Sequence, residues 1–174
     1  MSVRTDSEQA GRSIESDLDA VLLRVGRLNY VWSNTESLLI HLLAGLGGMA
    51  TDTATIVFLS VNSTRGRIEL VERLAKMRLP RGDRQREVLQ LMLRFGKLSA
   101  VRNRYNHSIW SFQQDGSIST ILMRVADRRD RIRVGQKQDL SQEEMARLDQ
   151  DVKKLSLLNT HIWRHIQDYG YPTG

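Results

Sequence analysis

Residues 14–48 read IESDLDAVLLRVGRLNYVWSNTESLLIHLLAGLGG. Ile14, Leu18, Val21, Val25, Leu28, Trp32, Leu39, Leu42 and Leu46 recur at steps that keep them on one side of a helix. Such spacing predicts one long amphipathic helix with a single buried stripe. Asp17 and Asp19 stand early, where the helix dipole favours acids, and Gly45, Gly47 and Gly48 end the run. Glu36 lies one turn from both Trp32 and Ile40, as a half-exposed acid at the edge of the stripe.

Outward from this helix, residues 1–13 are polar and predict a flexible N-terminal arm. They contain no apolar run, so no signal peptide is expected. A second helical stretch covers about Thr53 to Leu79, and Asn62, Ser63, Thr64 and Gly66 predict a kink or break inside it. Pro80-Arg81-Gly82-Asp83 forms a turn that closes on an N-cap. The third helix carries Val88, Leu91, Phe95, Leu98 and Tyr105. After His107 the period changes: Ile109, Phe112, Ile118, Ile121 and Val125 stand among polar residues, and Asp115-Gly116 is a hairpin dipeptide. A short ribbon is expected over about 109–134. Ser141 to Glu144 reads as a capping box that opens a last helix with Met145, Leu148, Val152, Leu155, Ile162 and Ile166 on one side. The expected fold is all-α: an up-and-down four-helix bundle over 14–174, as a single domain, with a small β-hairpin insertion before the last helix.

The 174 residues contain no cysteine, which removes disulfides, iron–sulfur clusters, cysteine-ligated zinc and thiol nucleophiles. The 26 basic and 20 acidic residues give a net charge of +6, a moderate field compatible with a phosphate-bearing partner. The longest apolar stretch, Leu38 to Gly48, is interrupted by His41 and is too short to cross a bilayer. No membrane association is expected, and the cytoplasm is the default location.

The end of the third helix breaks the pattern. Stepping on from Leu98 by four reaches Arg102, where an apolar residue is expected. Burying an unpaired guanidinium is costly, so Arg102 should be paired, wet or at an interface. Asn103 and Asn106 flank it, Tyr105 continues the stripe, and His107 follows. A polar cluster that replaces a core pattern often marks a functional site.

The segment Arg102-Asn103-Arg104-Tyr105-Asn106-His107 resembles the signature of the HEPN family (higher eukaryotes and prokaryotes nucleotide-binding). That family has a helical-bundle fold with an Arg–polar–x–x–x–His motif near the end of its third long helix. The resemblance implies a metal-independent endoribonuclease of toxin–antitoxin, phage-defence or RNA-processing type. It also implies a homodimer with two motifs facing each other, RNA as substrate, no cofactor or metal, and an antitoxin protein as a possible partner. Members with a Tyr two residues after the His are not matched, because Ile109 stands there. In this scheme His107 takes the proton of a ribose 2′-OH, Arg102 stabilises the phosphorane, and Asn103 orients the His107 ring. On an ideal helix Arg102 and His107 lie about 140° apart. Either the helix ends at His107 and the ring turns back, or each site mixes residues from two protomers.

Further residues have two readings each. Arg104, Arg124, Arg128, Arg129, Arg131 and Arg133 could grip RNA phosphates; alternatively the Arg124–Arg133 stretch is a solvated hairpin partly neutralised by Asp127 and Asp130. Glu36, Tyr105 and Asn106 could support the site, or Arg102 and His107 could pair with acids such as Glu36 and hold the bundle. His161 and His165 have zinc-compatible spacing, but no third ligand stands nearby, and a solvent-facing or boundary pair is expected. His41 is expected as a satisfied boundary residue. The competing function is a non-catalytic helical module that binds a nucleotide, an RNA or a partner protein.

Overall fold

The computed structural model describes residues 3–112, 118–128, 131–139 and 141–173, with side chains described within 18–111, 119–121 and 141–173. Five helices and three strands follow in the order α1 (Val3–Gly47), α2 (Thr51–Ser60), α3 (Thr64–Arg78), α4 (Asp83–Asn106), β1 (Ser108–Phe112), β2 (Ile118–Arg128), β3 (Arg131–Asp139) and α5 (Gln142–Asp168). The chain is thus predominantly helical, with a small antiparallel sheet before the last helix. Of the kink or break expected in the second helical stretch, the structure has the break: α2 ends at Ser60, and Ser63 caps α3 by accepting the Gly66 N–H at 3.1 Å. The ribbon gains a third strand. β2 is the central one, pairing with β1 from Ser108↔Leu122 to Phe112↔Ile118 and with β3 from Ser119↔Asp139 to Arg128↔Arg131.

Two further features concern the domain organisation. Residues 3–13, read as a flexible arm, are helical in backbone. Their composition includes good helix formers such as Arg4, Glu8, Gln9, Ala10 and Arg12, which need no buried face to continue a helix already started. The single domain divides into two compact units, Met1–Leu28 with Val101–Gln150, and Asn29–Ala100 with Asp151–Gly174. The reason lies in element length: α1, α4 and α5 each supply one segment to each unit.

In the larger unit the direction of the helices follows from their contacts. Thr35 accepts the Asn159 side-chain amide at 3.2 Å, and the His41 ring meets Trp163 edge-on at 5.9 Å, so α1 and α5 run parallel. Arg94 donates to His161 at 3.2 Å and Glu87 contacts His165 at 2.9 Å, which sets α4 antiparallel to α5. Leu39, Leu42, Leu43, Val71, Val88, Met92, Phe95, Leu158, Ile162 and Ile166 of this unit are buried. Burial of each such side chain stabilises by about 1.5–3 kcal/mol before entropy is subtracted. Trp32 stacks on Phe95 with ring centroids 4.4 Å apart, tying α1 to α4.

Glu36, the half-exposed acid at the edge of the stripe, is the centre of a polar network in this unit. Its carboxylate accepts from Trp32 Nε1 at 3.2 Å and from Thr64 Oγ1 at 2.6 Å, and pairs with Arg67 at 3.1 Å. Arg67 Nε also donates to the carbonyls of Phe58 and Val61, and its guanidinium lies 4.0 Å from the Phe58 ring centroid. One ion pair therefore satisfies the carbonyls at the end of α2 and fastens the α2–α3 break to α1.

In the smaller unit Val21 and Met145 are buried, with Leu18, Val25 and Trp110 packed against them. Ser141 accepts the Glu144 N–H at 3.3 Å, as the capping-box reading requires. Among the described residues no single helix is long and apolar enough to cross a membrane.

Candidate active site

The Arg102–His107 segment closes α4 and lies in the smaller unit. Its apolar anchor is Tyr105, 4% exposed. Arg102 is half-buried, while Asn103, Asn106 and His107 are exposed. The helix ends at Asn106, and β1 begins at Ser108, so His107 is the single junction residue. Its backbone N–H still bonds to the Asn103 carbonyl at 3.1 Å. Ser108 Oγ then donates to the Arg104 carbonyl at 2.5 Å, covering an end carbonyl of the helix. Of the two geometries open for the motif, the first has its backbone requirement met: the helix does stop at His107.

Asn103 does something other than expected. Its side-chain oxygen accepts from Arg102 Nη1 at 3.2 Å. A backbone bond, not its amide, links it to His107. The arrangement presents a guanidinium, held by its neighbouring amide, and an exposed imidazole at the end of one helix. A guanidinium can stabilise a developing phosphorane, and an imidazole can exchange a proton near neutral pH.

Arg104, expected to contact RNA, has a partner within the fold. It pairs at 3.1 Å with Glu144, whose side chain is only 8% exposed and which also pairs with Arg147 at 2.9 Å. A carboxylate so buried needs its cations, so Arg104 fastens the end of α4 to the start of α5. Arg124, Arg128, Arg131 and Arg133 have their backbones in β2 and β3, with Ala126↔Arg133 and Arg128↔Arg131 paired in register. Their side chains and the whole of Arg129 lie outside the described residues. Glu36, offered as support for the site, pairs with Arg67 in the larger unit.

The remaining histidines are accounted for. His41 Nδ1 lies 2.9 Å from the Pro172 carbonyl and donates to it, as a satisfied boundary residue. His165 is fully buried rather than at a boundary. Its stripe position is displaced by one residue from Ile166, and it survives in the core because Glu87 meets it at 2.9 Å. Burial pushes its imidazole below the ordinary value, opposed by the Glu87 carboxylate. His161 is occupied by Arg94, and among the described residues no three metal-ligating side chains converge. The zinc spacing in the sequence therefore corresponds to two separate contacts.

Comparison with family models, curated proteins and solved structures finds no match to this chain.

Proposed function

We propose that this chain is a metal-independent endoribonuclease of the HEPN type, acting through Arg102 and His107. The supporting observation is the position of His107: an exposed imidazole at the helix–strand junction, with the Asn103-held guanidinium of Arg102 five residues before it. His107 takes the proton from a ribose 2′-OH. The resulting oxygen attacks the adjacent phosphorus, and the bond to the 5′-oxygen breaks. The products are a 2′,3′-cyclic phosphate and a 5′-OH, the leaving oxygen taking up a proton. Arg102 stabilises the charge on the non-bridging oxygens during the attack. In the other geometry open to the motif, a homodimer lets each site combine residues of two protomers. A toxin or phage-defence role with an antitoxin partner belongs to the same reading.

The test is cleavage of several RNAs in EDTA by wild type, His107→Ala and Arg102→Ala, with product ends identified. Cyclic-phosphate ends that disappear in both variants support the reading. Cleavage unchanged in both overturns it.

One observation favours a second reading. The Asn103 side-chain oxygen serves Arg102, and among the described residues no side chain is seen to orient the His107 ring in the way general-base chemistry uses. A non-catalytic module would bind a nucleotide, RNA or protein through Arg102, and His107→Ala would then leave binding unchanged.

A further inference from the structure

The larger unit carries a second concavity, built from three helix ends and a start. It is lined by Gly45, Gly47 and Gly48 of the α1 terminus, Arg78 at the end of α3, Arg84 in the first turn of α4, and Tyr171 beyond α5. It encloses about 430 Å³, within the range that takes a small ligand.

Helix C-termini normally attract cations, which could explain two arginines here. Four carbonyls at this end are already used, however. Met49 N–H bonds to Ala44 O, Tyr171 N–H to Ile166 O, and Leu79 N–H to Ala75 O. Gln85 takes Leu79 O at 3.1 Å. Among the described residues no carboxylate stands within ion-pair distance of Arg78 or Arg84, and none lines the cavity. Glu87 and Asp168 act on His165, as does the Arg84 charge. The Arg84 guanidinium is instead stacked, 4.0 Å from the Tyr169 ring centroid and 5.2 Å from that of Tyr171. Its Nε is buried and makes no hydrogen bond among the described residues.

Tyr171 supplies an independent observation. The residue is 7% exposed and lines the cavity, and its hydroxyl is buried with no hydrogen-bond partner among the described residues. A buried, unanswered hydroxyl is costly unless something occupies the site beside it. Its ring is pinned flat on Gly45, where an added Cβ would lie 2.2 Å from ring atoms. A stacked arginine, an exposed arginine, a free hydroxyl donor and no acid make a set of donors for an oxyanion.

We propose that this cavity binds a small molecule bearing a phosphate-type oxyanion, with Arg78 and Arg84 taking the charge and the Tyr171 hydroxyl holding one oxygen. The site is separate from Arg102 and His107 and does not depend on their chemistry.

The experiment measures melting temperature and calorimetric binding with inorganic phosphate, with AMP, and with acetate and chloride at matched ionic strength. Wild type is stabilised by phosphate or AMP and not by acetate or chloride. A larger effect of AMP assigns the anion to a phosphorylated molecule, and an effect of phosphate alone assigns it to the free ion. Arg78→Gln, at an exposed position, and Tyr171→Phe, which keeps the ring on Gly45, each weaken binding about tenfold. His107→Ala binds as wild type. Absence of binding by wild type, equal stabilisation by acetate, or wild-type binding in both Arg78→Gln and Tyr171→Phe overturns the proposal.

Discussion

At the scale of single residues, burial decides roles that residue type leaves open. Glu36 and Arg67 have side chains 14% and 17% exposed and satisfy each other together with two α2-end carbonyls. Removing one partner leaves a buried charge and unanswered carbonyls. Arg67→Ala or Glu36→Ala should therefore lower stability by about 3 kcal/mol in urea unfolding. Replacing both by Met should cost less than the two single changes added together. His165 offers a pH test. Burial lowers its pKa from the ordinary 6.5, so the unfolded chain binds the proton first as pH falls. Stability is then lost from about pH 6.5 downward and levels off below the folded-state value. Unfolding midpoints compared at about pH 7.5 and about pH 5.5 should fall further in wild type than in His165→Gln. Equal losses would exclude His165 as the source.

At the scale of elements, the ends of helices carry the design. α1 and α5 both stop in the same way. Gly48 and Gly170 take φ of 64° and 59°, with Met49 N–H on Ala44 O and Tyr171 N–H on Ile166 O. Positive φ at those two residues is cheap only for glycine. Gly45 has a different requirement, because the Tyr171 ring occupies the place of a side chain. Gly45→Ala should cost about 1–3 kcal/mol in chemical denaturation and displace Tyr171, which near-ultraviolet circular dichroism would register. Ser63→Ala removes the cap of α3 and should cost about 1 kcal/mol. Much of this scale was legible beforehand. Asn62-Ser63-Thr64 marked the α2–α3 break, the glycines marked the end of α1, and Ser141-x-x-Glu144 marked the start of α5. Each depends on neighbours within a few residues. The third strand was less visible, because residues 131–139 mix Arg, Gln and Lys with few apolar positions.

At the scale of the molecule, the two units separate two candidate sites: the Arg102–His107 helix end in one, the Arg84–Tyr171 cavity in the other. Independent sites predict independent losses. His107 is exposed, so His107→Ala should leave the melting temperature within the error of a surface substitution while abolishing RNA cleavage. RNA affinity should fall steeply with added salt if several arginines meet phosphates. A flat salt response would argue against a phosphate-binding face.

The amino-acid order by itself determined the helical class, the position of the break, the caps and the exposed motif at the end of α4. These follow from periodicity and from bonds that reach one turn. Only the tertiary structure decided the partners. Glu36, read as a half-exposed acid at the edge of the stripe, meets Arg67 and Thr64, and Arg104 meets Glu144. His165 became a core residue through Glu87, and Tyr171 a cavity wall through Gly45. Charge and hydrogen-bonding capacity are properties of a residue. Whether they are spent on the fold or left for a ligand depends on groups far along the chain, which packing alone brings within reach.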